Sequence, residues 1–167
     1  MIDSAPIRTE RLVLPLWTAP DVAAIRAGSR TGIDGVLGSW HPEFPRPDDV
    51  GAASLWREGD VWGPRSIVRG VTVLGSIGFF GPPAAAGDDG ALELEVGYGL
   101  VRDAWGWGFA TEALAGLLSQ VGTEIPVRAT IRPENTASLR VAAKCGFTQL
   151  RGTTADGELV MVRPAVP

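Results

Sequence analysis

At 167 residues, with 45% hydrophobic and 20% charged side chains, the chain is long enough for about one domain with a packed core and too apolar for disorder. A net charge of −4 with no run of like charges disfavours nucleic acid as the main partner, because neutralising phosphates needs a basic face. The single cysteine, Cys145, excludes an internal disulfide and a cysteine-built zinc site, and no run of about 18 apolar residues exists to span a bilayer.

Residues 7–16 alternate, with Leu12, Leu14 and Leu16 on one face, which predicts a single half-buried strand that Pro15 ends or places at an edge. Thr18 and Asp21 supply capping chemistry and Pro20 suits a first helical position, so a helix carrying Val22, Ala23, Ile25 and Arg26 follows. Residues 28–49 are rich in Gly, Pro, Ser and Asp and read as irregular chain with at most short helical turns; a second short helix is expected over 49–58. Two strands over 65–68 and 71–80 turn near Gly70, a loop occupies 81–90, and a strand runs over 91–100. Ala110, Ala113, Leu114, Leu117, Leu118 and Val121 recur at helical spacing over 109–121. A short strand at 127–131 leads to a helix that begins after Pro133 and Asn135 and ends near Lys144, where Gly146 fits the left-handed stop position. Strands at 147–150 and 159–162 close the chain across the turn at Asp156-Gly157. The first eleven residues have no apolar core for export, so the cytoplasm is expected.

The stretch from Glu93 to Ala113 carries the chemistry. Gly106, Gly108 and the small Ala110 leave backbone uncovered where a helix begins, and free amides at the positive end of a helix dipole attract a diphosphate. Arg102 adds a positive charge at the mouth; a purely structural turn is the plainer alternative. The dinucleotide fingerprint fits poorly, since Thr111 stands at its third glycine position, and no Gly-Lys-Ser or Gly-Lys-Thr occurs for a Walker loop. On the preceding strand, alternation puts Glu93, Glu95, Gly97 and Gly99 on one face and Leu92, Leu94, Val96 and Tyr98 on the other. The first face is either simply solvated or a general base beside a groove floored by bare backbone.

Four blocks resemble the GNAT superfamily of N-acetyltransferases, and within it the RimJ/RimL-type branch that acylates protein N-termini and small amines. They are Thr9-Glu10-Arg11-Leu12 with Asp21, Glu95-Val96-Gly97-Tyr98, Trp105 through Ala113, and Asn135 through Arg140 continuing to Lys144-Cys145-Gly146-Phe147. The superfamily's Gln/Arg-x-x-Gly-x-Gly/Ala pattern is met by Gly108 and Ala110, with Trp105 at its first position. The resemblance implies one α+β domain: a twisted, mostly antiparallel sheet of about 6–7 strands, about four helices and a splayed parallel strand pair. It departs from the pattern at Pro15, where an arginine is usual, and at Ala142, where many members carry a tyrosine acid.

The resemblance further implies acetyl-CoA or another short acyl-CoA as cosubstrate, no metal, and a primary amine as acceptor, either a peptide N-terminus or a small molecule. Expected cofactor contacts are Val96, Gly97, Tyr98, Arg102, Trp105, Gly106, Trp107, Gly108, Phe109, Ala110, Thr111, Asn135 and Ser138. Because a lysine-like amine is mostly protonated near pH 7, a base is needed, and Glu95 is the candidate, with Glu93 the weaker one. Ser138 is the candidate to protonate or hydrogen-bond the leaving thiolate, and amides near 96–98 would polarise the thioester carbonyl. Asn135 is equally a plain helix cap, Cys145 is read as core packing, and His41 is either a second base or, the favoured reading, a helix-end residue. Trp40, His41, Phe44 and Trp56 fall in the region that helps form the family's acceptor pocket. A homodimer is compatible with the sequence, and a non-catalytic acyl-CoA sensor on the same fold is the rival reading.

Overall fold

The computed structural model of the chain describes residues 1–28, 39–87 and 89–166. The chain opens with two short strands, β1 (Ile7–Arg8) and β2 (Val13–Leu14), followed by α1 (Ala19–Ala27), β3 (Ser39–Trp40) and α2 (Pro47–Ser54). Next come β4 (Arg65–Arg69), β5 (Thr72–Phe79), β6 (Ala84–Ala86), β7 (Ala91–Leu100) and, after a 3-10 turn at Arg102–Ala104, α3 (Phe109–Leu118). β8 (Val127–Ile131), α4 (Thr136–Lys144), β9 (Gln149–Thr153) and β10 (Leu159–Arg163) complete it.

The main path of the sheet is β1-β2-β4-β5-β7-β8-β10-β9, with β3 added on β5 and β6 on β7. Every pairing on that path is antiparallel except β7 with β8. The expected mixed α/β architecture with a parallel pair therefore stands, while the short strands β3 and β6 are additions.

Three expectations change. Residues 7–16 form a hairpin rather than one strand, with Ile7 opposite Leu14 and Arg8 opposite Val13. The alternation was real, since Leu12 and Leu14 are buried, but Thr9 turns the chain: its amide donates to the Leu12 carbonyl and its hydroxyl accepts from the Leu12 amide. In the stretch taken as irregular, Ser39–Trp40 pairs in parallel with Thr72 and Val73, and residues 29–38 lie outside the described ones. In the expected loop, Ala84–Ala86 pairs with residues 91–93. Strands of two or three residues carry no readable period and exist only because a partner strand is waiting.

Local signals explain the helices. Thr18 and Asp21 make a reciprocal capping box on α1, and Asn135 caps α4 by accepting from the Ser138 amide. α2 starts at Pro47, earlier than expected, because the Asp49 carboxylate accepts from the Arg46 amide and closes the first turn. The core sits between α3 and the sheet, where Ala113, Leu114, Leu117, Ile67, Leu94 and Val127 are fully buried. A fully buried guanidinium, Arg65, ties in the N-terminal segment by donating to the carbonyls of Asp3, Ala5 and Leu14. Among the described residues no helix is long and apolar enough to cross a membrane.

Candidate active site

β7 and β8 are in register at Leu94 with Val127 and Glu95 with Arg128, and the pairing stops there. Both strands run on, to Leu100 and Ile131, so their twist carries them apart. A cavity of about 580 Å³ opens beyond the last rung, bounded by Val96, Gly97 and Tyr98 on one side and Ala129, Thr130 and Ile131 on the other. The Glu95 carbonyl accepts from Phe80 and the Val101 amide donates to Leu74, so odd-numbered residues of β7 spend their backbone groups on the β5 side. Even-numbered ones face β8. The Tyr98 amide is thus a β7 donor directed toward the gap beyond the last rung.

The second half of the site follows β7. Gly106 and Gly108 both sit at φ 82, a left-handed backbone that glycine tolerates without cost, and Gly108 is the N-cap of α3. Among the described residues no protein acceptor reaches the amides of Gly106, Trp107, Gly108, Phe109, Ala110 or Thr111. Six donors at the positive end of a helix dipole are therefore left for an anion. Phe109 is buried, so only its amide is offered. Trp107 is 65% and Trp105 50% exposed beside the turn; the Trp105 indole donates to the Leu100 carbonyl at 2.9 Å, and the Arg102 guanidinium lies 5.4 Å from its ring.

An Acetyltransferase (GNAT) domain model matches residues 11–148. The chain belongs to the GNAT acetyltransferase family. Among solved structures, the acetyltransferase from Agrobacterium tumefaciens str. C58 is 22% identical with a TM-score of 0.62, over 97% of this chain and 95% of that one. Mycobacterium smegmatis RimJ, in complex with CoA-disulfide, is 25% identical with a TM-score of 0.58, over 95% of this chain and 85% of that one. AAC(6')-Ib in complex with paromomycin and acetyl-CoA is 20% identical with a TM-score of 0.60, over 93% and 94%. No curated protein matches the chain significantly.

Within this GNAT domain the two strand carboxylates are not simply solvated. Glu93 is only 6% exposed and is held by Arg151 at 2.8 Å and Arg128 at 3.3 Å. Glu95 is half-buried; it accepts from Arg128 Nη2 at 2.7 Å and from the Thr130 hydroxyl at 3.3 Å. The simply solvated reading of that face fails because β8 and β9 bring guanidinium groups across it. Glu95 does not line the cavity, although its neighbour Val96 does. Arg128 and Thr130 were invisible in the sequence because their partnership with Glu95 depends on a parallel register between segments 33 residues apart.

α4 closes the cavity. Ser138 and Asn135 line it, and the Ser138 carbonyl accepts the Tyr98 hydroxyl at 2.9 Å, which docks α4 on β7. Burial pushes the Tyr98 phenol up to about 12, so it is a neutral donor at physiological pH. Burial likewise raises the Cys145 thiol, whose sulfur lies 3.6 Å from the Thr111 carbonyl, in keeping with a packing role between α3 and α4.

The wall facing α4 comes from α2 and β5. Asp49, fully buried, takes two bonds from the Arg46 guanidinium, 2.9 Å from Nε and 2.7 Å from Nη2, and one from the Ser76 hydroxyl. Arg46 and Ser76 line the cavity with Asp48, Leu55 and Phe80. Sequence reading missed this network; the one local signal was Arg46-Pro47-Asp48-Asp49, a helix start whose N-cap is not a usual capping residue. Trp40, Phe44 and Trp56 are off the cavity wall: Phe44 is buried edge-to-face against Trp40, and the Trp56 indole donates to the Trp17 carbonyl. His41 is not at a helix end but directly follows β3; it accepts the Glu43 amide on Nδ1 and sets Nε2 3.3 Å from Asp103, in the turn before the amide cradle.

Proposed function

We propose that the chain transfers an acetyl or other short acyl group from acyl-CoA to a primary amine, as the RimJ/RimL-type branch does, in the cytoplasm. One observation carries the reading: six acceptor-free amides at the start of α3 follow directly on a strand that parts from its parallel neighbour to open a 580 Å³ cavity. A cradle for a diphosphate and a slot for a thiol-bearing arm are what acyl-CoA needs, and the donor supplies an activated thioester carbonyl. RimJ from M. smegmatis was solved with a CoA derivative and AAC(6')-Ib with an aminoglycoside, and both support a donor and an amine acceptor here.

In this reading the amides of Gly106 through Thr111 hold the diphosphate, with Arg102, Trp105 and Asn135 at the edges. The Tyr98 N–H of β7 takes up negative charge developing on the carbonyl oxygen. Amine nitrogen bonds to the acyl carbon, the carbon–sulfur bond breaks, and the amine proton leaves through a water to Glu95. Ser138 hydrogen-bonds the departing sulfur, a modest demand because a thiol pKa of about 8.5 makes thiolate a fair leaving group.

Thiol release from acetyl-CoA against a panel of amines and N-terminal peptides tests it; release with at least one acceptor, dependent on Glu95, is expected. The engagement of Glu95 by Arg128 and its place off the cavity wall favour a second reading, a non-catalytic acyl-CoA sensor. Tight CoA binding with no release from any acceptor selects that one.

A further inference from the structure

The amide cradle is open at its front and bonded at its back, and the back comes from the first hairpin. In the turn between β1 and β2, the Thr9 hydroxyl and the Arg11 amide both donate to Glu112 Oε1, at 2.5 and 2.7 Å. Arg11 Nε donates to Glu112 Oε2 at 2.7 Å, and Arg11 Nη1 donates to the Trp107 carbonyl at 2.9 Å. The same guanidinium lies 4.6 Å from the Phe109 ring centroid, and its Nη2 stands 3.4 Å from where a Cβ on Gly108 would be. Gly116 permits this approach, since a Cβ there would come within 2.6 Å of Thr9.

A trans peptide is planar, with its C=O and N–H pointing in opposite directions. Fixing the Trp107 carbonyl on Arg11 therefore turns the Gly108 N–H away from Arg11, toward the open side of the turn. Gly108 forms one end of that peptide, and its permissive φ would otherwise let the peptide rotate. A guanidinium can bond the carboxylate and the carbonyl at once in a fixed plane, which an ammonium cannot reproduce. We propose that Arg11, oriented by Glu112, is a positioning residue that presets the Trp107–Gly108 peptide so its N–H meets the donor's diphosphate. This rests on the acyl-CoA reading above.

The test is CoA titration by calorimetry on the full chain, with the Gly108 amide resonance followed by NMR and thermal melts reporting folding. In the wild type the Gly108 resonance shifts as CoA binds. Arg11→Met and Arg11→Lys are each expected to weaken CoA roughly 10- to 100-fold, the worth of one bond to a charged group, and to move the Gly108 resonance in the free protein. Glu112→Gln, which leaves the guanidinium but loosens it, is expected to weaken CoA by about threefold to tenfold and carries the test if the Arg11 variants fail to fold. CoA affinity kept within about twofold in Arg11→Met, or restored by Arg11→Lys, overturns the proposal, the latter because charge alone would then suffice. A wild type that binds no CoA instead sinks the acyl-CoA reading itself, so the two failures are distinct.

Discussion

The cavity and the amide cradle are built in opposite ways, and no residue of the cradle lines the cavity. The cradle end is backbone: consecutive amides from Gly106 to Thr111, two left-handed glycines and a helix start, all within one short stretch of chain. The cavity end is side chain: Arg46 at the start of α2, held by Asp49, with Ser76 from β5, Thr130 from β8 and Ser138 from α4. Unbonded amides at a helix start come from local conformation, so a few residues of the right kind in a row can specify them, and Arg11 then fixes one peptide from behind. A site made of side chains from four elements exists only once those elements are packed. On the proposed reading, the cavity end is where acceptor choice can change without disturbing donor binding.

The contrast can be broken by substitutions that strike one end alone. The largest effect is expected from Glu95→Gln: turnover falls by roughly 10²–10⁴-fold while CoA affinity is unchanged, read by steady-state kinetics beside calorimetry. Turnover within about twofold of wild type would remove Glu95 from the mechanism. Asp49→Ala leaves the Arg46 guanidinium and the Ser76 hydroxyl without their buried partner; a stability loss of about 2–4 kcal/mol in denaturant titration, and a raised KM for the acceptor but not for CoA, are expected. If CoA affinity fell with it, the two ends would not be independent. Gly108→Val places a β-branched side chain at φ 82; CoA should bind roughly 10- to 100-fold more weakly, with acceptor KM untouched.

The smallest effect sharpens the picture at the back of the cradle. Burial works to raise the Glu112 carboxyl, but bonds from the Thr9 hydroxyl and from the amide and guanidinium of Arg11 outweigh it and hold it below the usual range. A folded value below the unfolded one means that the unfolded chain binds more protons in between, so stability rises with pH there. This contribution is complete above the unfolded glutamate value of about 4.3 and is lost as pH falls through the depressed folded value. Melting curves of wild type and Glu112→Gln should therefore differ near neutral pH and converge in acid. Parallel curves at every pH would deny Glu112 this role.

Much of the scaffold was legible before the structure. The strands 91–100 and 127–131 fall where alternation set them, and the helix from Phe109 starts where the glycines end. The caps at Thr18, Asn135 and Gly146 behave as their chemistry dictates. What stayed hidden depended on partners far along the chain. Thr9 and Arg11 looked like part of a strand, yet they serve a helix about 100 residues later. Alternation left Glu93 either solvated or a base beside a groove, because nothing on its own strand announces Arg128 and Arg151.

Period, capping and glycine placement act over a few residues, so the sequence alone determined the four helices and the longer strands, the open turn before α3 and the pair of carboxylates on β7. Tertiary structure alone decided which guanidinium groups meet those carboxylates, where β7 and β8 part, and which side chains wall the cavity. Those outcomes depend on strand register and twist, and register belongs to a pair of segments rather than to either one.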